Sequence, residues 1–381
     1  MLINGIKSQG KPGTLSSGAS PGELNRTFSS SEAEREGGLR SKDRWLLSSC
    51  TLILSIFFLF IVFGNITIAQ ENNRTSLLEA EEYYKDALFD KVIETLSELP
   101  TDKSVDKDVR SDALKFLARS YFAKGQYNEA RESLQRLLEL EPPIIELNPD
   151  YEPPALMKAY YDVRKSLSGG SFVVERQDPG LKTMAIIDFK NSSIDQKAKF
   201  DPMEQGFADL MIHRLNNSTG LKVIERERIQ WILNEINIQD KYNMEEAVRM
   251  GKQLGVHAVL LGSFIIFNDE IWLGARLVKV ETSEILLADE IKGEVDEFFD
   301  LVEKLSEKIA DKIDVSLKQE EAGISSETKS LDAMLSYSEG LQMLEEGKYK
   351  DAYNKFLKAL EFDPDYELAK AKAESIKPFI G

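Results

Sequence analysis

The stretch "GQYNEARESLQRLL", beginning at Gly125, returns as "GKYKDAYNKFLKAL", beginning at Gly347. The pattern constrains the fold strongly: it is the second half of a helical hairpin, written once before and once after a long unrelated segment. In the first copy Leu114, Leu117, Ala118 and Tyr121 fall at helical spacing ahead of Gly125. Tyr127, Ala130, Leu134 and Leu137 then follow at the same spacing, and Pro142 closes the pattern. Small Ala118 and Ala130 let two antiparallel helices approach, Gly125 permits the turn, and Tyr121, Tyr127 and Leu134 fill the groove between them. Such a hairpin cannot bury its own apolar face, so each copy requires a neighbour.

These positions resemble the tetratricopeptide repeat, with Ala130, Leu134 and Pro142 on its 34-residue frame. Gly340, Gly347, Tyr349, Ala352, Phe356, Ala359 and Pro364 occupy the same frame in the C-terminal copy. A weaker unit with Ala80, Tyr83, Phe89, Val92 and Leu96 precedes the first, separated from it by the polar insertion "PTDKSVDKD", and a helix from Ala155 to Ser166 closes that array. The C-terminal repeat, capped by a helix from Tyr366 to Lys377, stands alone. It must lean on the middle of the chain, on the first array, or on another protomer.

The middle segment lies between the breaks "LSGGSFVVERQDPG" and "KQEEAGISSETKS" and alternates strand and helix. "MAIIDF" is a short buried strand. Asp201, Pro202 and Glu204 spell a helix cap, a first-turn proline and a capping-box partner, ahead of the apolar face Met203, Phe207, Leu210, Met211 and Leu215. "LKVIE" is a second strand, Ile229, Ile232, Leu233 and Ile236 mark a second helix, and Asn243 with Glu246 opens a third. "HAVLLGSFIIF", "EIWLGARLVKVE" and "EILLADEIKGEV" read as three strands, the last two joined at Thr282 and Ser283. A helix bearing Phe298, Leu301, Val302, Leu305 and Ile309 ends the segment. The order implies an α/β (α+β) domain.

"MAIIDFKNSS", "GFADLMIHRLNNSTGLKVIERERIQWILNE", "GKQLGVHAVLLGSF" and "ARLVKVETSEIL" together resemble the curli production assembly/transport (CsgG-like) family, over Met184 to about Val315. Relatives of that family include the N-terminal domain of the Tol-Pal periplasmic protein and other envelope proteins. The resemblance implies a periplasmic or outer-membrane-associated domain that binds envelope components. In the curli protein itself it implies a ring that exports subunits. That protein inserts two long amphipathic hairpins, each strand needing ~9–11 alternating residues. No comparable insertion is evident here, and the lipid-anchoring cysteine expected after an export signal is missing.

From Trp45 to Gln70 no residue is charged, and Leu52 to Phe63 is densely apolar, with Arg40, Lys42 and Arg44 ahead of it. Positive charge stays inside, so the chain after Gln70 is expected outside the cytoplasm. Two readings stay open. One is a signal peptide cleaved after Thr67 and Ala69 at the −3 and −1 positions; the other is an uncleaved single transmembrane anchor in the inner membrane. The apolar centre is shorter than the ~20 residues of a spanning helix, which favours cleavage. Residues 1–44 read as a disordered tail, and a start near Leu39 would give a conventional leader. The organisation expected is therefore a tail over 1–44, a signal peptide or anchor over 45–70 and a repeat array over 71–168. A CsgG-like α/β domain follows over 172–318, then a linker over 319–330 and a C-terminal repeat with its capping helix over 331–381.

The net charge is −17. Residues 1–44 hold seven basic and five acidic side chains and 45–70 hold none, so the rest carries −19. Such a chain is repelled by phosphate backbones, which argues against nucleic acid as a partner. Cys50 is the sole cysteine and His213 and His257 the only histidines, too few for a disulfide framework or a Cys/His metal cluster. No phosphate-cradling glycine loop, nucleophile elbow or zinc motif is present, so neither catalysis nor a cofactor is expected. Asp188, at the end of its strand, reads as a polar terminus facing a loop. "ERER", Glu225 to Arg228, reads as an exposed, salt-bridged junction.

The expectation is a non-enzymatic envelope adaptor whose repeats bind protein partners, with self-association left open. The alternative is a subunit of a ring-forming outer-membrane export channel. Leu114, Arg119 and Tyr121 on the inner repeat helices, and Glu225, Arg226 and Arg228 at the junction, are the candidate partner-binding residues.

Overall fold

The computed structural model describes residues 70–140, 147–170, 182–194, 196–216, 218–317 and 328–380, which all fall within the unit Asn65–Gly381. The tail over 1–44, the apolar segment up to residue 69, Pro142 and most of the linker lie outside the described residues. Among those described, no helix is long and apolar enough to cross a membrane.

The first helices are α1 (70–85), α2 (Phe89–Leu96), α3 (Lys107–Ala123), α4 (Tyr127–Glu139) and α5 (Pro154–Leu167). Gly125 turns α3 into α4 at φ +71°. Its N–H donates to the Phe122 carbonyl and that of Gln126 to the Tyr121 carbonyl, which satisfies the carbonyls left open at the end of α3. Ala118 and Ala130 are fully enclosed between the helices beside Leu114 and Leu134. Two prolines open α5, where a missing N–H costs nothing. This helix does more than close the array: Tyr161 packs on Trp231 with rings 5.6 Å apart, and the Trp231 indole N–H donates to Asp162 at 2.9 Å. The apolar core of the first repeat thus runs without a break into the middle of the chain.

There, five strands form the main path of a sheet in the order β4-β1-β5-β6-β7. They are β1 (Lys182–Ile186), β4 (Leu221–Val223), β5 (Ala258–Phe267), β6 (Glu270–Lys279) and β7 (Ile285–Glu294), with the short β2 (Lys190–Asn191) on the far half of β5. β1 is parallel to both β4 and β5, whereas β5, β6 and β7 are antiparallel. β5 turns into β6 through Asn268 and Asp269 at φ +51° and +63°, the twist a two-residue hairpin requires. A small pair, β3 (Ser218–Thr219) with β8 (Ser316–Leu317), lies apart from the main sheet.

One sheet face, with Leu260, Phe264, Leu273 and Leu277, is covered by α7 (Met203–Asn216) and α10 (Phe298–Lys312). The other, with Ile187, Val259 and Val278, is covered by α8 (Arg226–Glu235) and α9 (Met244–Leu254). Asn243 caps α9 as its sequence suggests, accepting from the N–H groups of Glu245 and Glu246. The capping box read into Asp201 and Glu204 does not form. A short helix α6 (Lys197–Phe200) runs up to Asp201 and holds it at helical angles, φ −54° and ψ −40°, where a side chain cannot cap. Asp201 instead accepts from Asn191 at 2.9 Å and Lys197 at 2.7 Å, and Glu204 accepts from the Asn191 N–H and the Tyr242 hydroxyl.

The chain ends in α11 (Leu331–Glu345), α12 (Tyr349–Phe362) and α13 (Glu367–Ile376). Gly347, at φ +73°, repeats the Gly125 turn down to the donation of the next N–H five residues back, from Lys348 to Met343. The sequence demands a neighbour for this repeat, and the structure supplies two. α11 lies across α7 so closely that a methyl on Gly206 would sit 1.9 Å from the Ser338 hydroxyl, and Met334 enters the sheet core. At the other end of the repeat Phe379 meets Phe122 of α3 edge-on, 6.3 Å between centroids.

Candidate functional site

Two features could carry function: a groove on the first array and a buried ionic junction that fixes the modules around it. The groove opens between α1, α3 and the end of α13, a cavity of about 580 Å³. Tyr84 and Phe116 give it an aromatic wall, packed edge-on at 5.7 Å, and Tyr151 stands at its rim, 53% exposed. Glu81 and Lys85 of α1, paired at 2.8 Å, and Glu374, Ser375, Lys377 and Pro378 from the C-terminal segment complete the lining. Burial pushes the Tyr84 hydroxyl well above its ordinary range, so the wall is neutral at any physiological pH.

Arg119 belongs to this groove, but its guanidinium is committed within the chain. It grips Glu152 through two nitrogens, and the Glu152 carboxylate is shut off from solvent. The other two inner-helix candidates do not line the groove. Leu114 is fully buried between α3, α4 and α5, and Tyr121 is half-buried against the cluster of Ala80, Val92 and Leu96. Their spacing was correctly helical, but it points them at neighbouring helices.

The junction lies at the C-terminal end of β1. The chain passes from β1 to β4 on one side and returns to β5 on the other, so this is the sheet's switch point, where open α/β sheets usually leave a crevice. Here the crevice is filled by charge. One oxygen of Asp188 accepts from Arg226 at 3.0 Å; the other accepts from Gln230 at 3.0 Å and Lys241 at 2.6 Å. Arg226 reaches on to Glu345 of α11, which also accepts from Gln205. Burial opposes charge on Asp188, but Arg226 and then Lys241 outweigh it and hold the carboxyl below its ordinary range. A second tie lies nearby. Lys372 of α13, 1% exposed, donates to the Pro149 carbonyl at 3.0 Å and pairs with Glu227 of α8 at 3.4 Å, joining all three modules at one ammonium.

One reading of these residues is corrected and another is refined. "ERER" is not an exposed junction: Arg226 and Arg228 are both 4% exposed, because the strand-to-helix turn is roofed by α11 and α5. Asp188 does meet the loop before α9, at Lys241, but it is fully buried and also held by Arg226 and Gln230, at the centre of the network. Glu225 remains half-buried before α8. Alternating signs suggested an outward face, yet Arg226 answers to Asp188, 38 residues before it, and Glu345, 119 after. Lys372 did leave a signal, since it interrupts the apolar stripe Leu368, Ala369, Ala373 and Ile376 of α13.

Residues 173–275 match the family model for the curli production assembly/transport component CsgG, and residues 111–144 match that for the tetratricopeptide repeat. The middle of this chain is a CsgG-like domain. No curated protein matches the sequence significantly. Solved structures with partial similarity include TolB from Acinetobacter baumannii, at 12% identity over 35% of this chain and 28% of TolB, TM-score 0.26. The LpoB C-terminal domain from Escherichia coli matches at 14% identity, 31% of this chain and 87% of that one, TM-score 0.25. The lipoprotein GNA1162 from Neisseria meningitidis matches at 14% identity, 34% of this chain and 96% of that one, TM-score 0.26. The CsgG match covers the junction, including Asp188 and Arg226, while the repeat match covers Arg119 and ends before Glu152.

Proposed function

We propose that this protein is a non-enzymatic scaffold of the cell envelope, in which a CsgG-like domain holds tetratricopeptide repeats in fixed orientation so that the first array receives an extended segment of a protein partner. The observation that carries this reading is the aromatic groove between α1, α3 and α13, open to solvent although every helix around it is packed. A neutral aromatic wall with both signs of charge at its margin, Glu81 and Glu374 beside Lys85 and Lys377, suits an extended chain bearing apolar side chains between polar ones. The uncharged apolar segment over 45–70, with Arg40, Lys42 and Arg44 ahead of it, and the CsgG match support an envelope location. The buried pairing of Asp188 supports a structural use for the one carboxylate placed as a catalytic group would be.

A photo-crosslinking residue at Lys85, inside the groove, should yield a discrete adduct with a partner in intact cells, and one at Gln135, exposed on α4, should not. Tyr151→Ala at the rim should reduce the Lys85 adduct severalfold while leaving the protein's abundance unchanged. Equal adducts from both positions, or none from Lys85, would overturn the reading.

A further inference from the structure

The main sheet stops at β7, whose core face packs on α10, with Lys308 donating to Asp289 at 2.6 Å and Leu301 against Gly293. Among the described residues β7 pairs only with β6, so the backbone groups of Ala288, Glu290, Lys292 and Glu294 face outward; the Glu290 N–H donates to Asp289 at 2.9 Å and the Glu294 N–H to Glu297 at 3.2 Å, side-chain bonds that a pairing strand would replace. Leu287 and Ile291 on its core face stay half-buried, while Leu277 and Leu273, their register partners on β6, are fully buried. On the solvent face, Glu290 and Lys292 flank Ile291, and among the described residues neither forms an ion pair. Lys292 rests over the Trp272 ring, 5.7 Å from its centre.

We propose that β7 pairs antiparallel with β7 of a second copy about a two-fold axis at Ile291, joining two CsgG-like domains into one continuous sheet. The register follows from chemistry. Residues opposite one another must face the same side of the sheet, so the axis has to pass through a residue. Centred on Ile291, Glu290 of each copy faces Lys292 of the other, giving two opposite-charge pairs, and Asp289 faces Gly293 on the core side, so that Ala288 to Glu294 pair within the strand. Centring on Glu290 or on Lys292 sets that charge against itself, and the second of these also places Glu290 opposite Glu294; centring on Gly293 does pair Lys292 with Glu294, but the strand ends at Glu294, so that register leaves only residues 292–294 to pair. The contact is isologous and closes on two copies, unlike the head-to-tail contact that builds a ring. It rests on the sheet edge alone and is independent of the repeat groove.

The test uses the full chain in mild detergent, carried on two different tags, with capture of one tag scored for the other. Wild-type copies should capture each other. Lys292→Glu alone, and Glu290→Lys alone, should each lower self-capture about tenfold, since two opposite-charge pairs become like-charge pairs. Mixing Lys292→Glu chains with Glu290→Lys chains restores both pairs and should restore capture. Both positions are exposed, so circular dichroism should show unchanged folding. Absence of wild-type capture, capture indifferent to the reversals, or failure of the mixed pair to recover would overturn the proposal.

Discussion

Arg226 shows how much one side chain can decide. It is 4% exposed, and its guanidinium is shared between Asp188 of the sheet and Glu345 of the C-terminal repeat. Removing one partner of a buried pair leaves the other charge stranded, at a cost of ~3–5 kcal/mol. Arg226→Ala is therefore expected to lower unfolding stability by about that much, read from urea titrations, whereas Lys241→Ala, whose site is 28% exposed, should cost clearly less. The pH dependence has a definite sign. Asp188 titrates below its ordinary 3.8 in the folded chain, so its pairing stabilises the fold fully above pH 3.8 and is lost as the pH falls below that value. Asp188→Asn should flatten this acid limb of the stability profile; an unchanged limb would show that other carboxylates govern it. Little of this was legible beforehand, because burial of "ERER" depends on residues distant in sequence.

At the level of elements the reading from sequence went further. The strands and the helices α8 to α10 follow from alternation and helical spacing, and the two glycine turns follow from a single rule applied twice. What periodicity could not show is that α7 is buried on two sides. Its large apolar residues Phe207, Leu210 and Met211 face the sheet core, and Gly206 faces α11. A glycine on the remaining face of a helix carries no apolar signal, so the landing place of the C-terminal repeat stayed hidden. Gly206→Ala tests that crossing. Its methyl would meet Ser338 at 1.9 Å from the hydroxyl and 2.9 Å from Cβ, so the helices must part, at ~1–3 kcal/mol. Combining it with Ser338→Ala removes the nearer clash and should recover part of the loss. If Gly206→Ala is instead stabilising, as alanine is in a free helix, α11 does not pack where it is placed here.

The whole molecule poses the question raised by its repeated hairpin: how an isolated repeat can persist when repeats gain stability from neighbours. The cores are shared rather than abutted. Met334 and Leu335 of α11 complete the sheet core, Tyr160 and Tyr161 of α5 complete the core under α8 and α9, and Lys372 touches the array and the CsgG-like domain together. Modules that share cores unfold together, so calorimetry of the intact chain should give one cooperative transition for everything described. The C-terminal repeat should then be the part most sensitive to its polar ties. Tyr337→Phe and Lys372→Met remove its bonds to Asp209, Glu227 and the Pro149 carbonyl, and Glu345→Gln removes the charge that pairs with Arg226, all while keeping side-chain volume. In that variant, amide exchange in α11 to α13 should speed up by an order of magnitude or more while β5 and β6 change far less, because a lone repeat depends on its ties to the modules around it. Were those helices to stay as protected as the sheet, the repeat would be stable by itself, and the buried charges at its base would need another purpose.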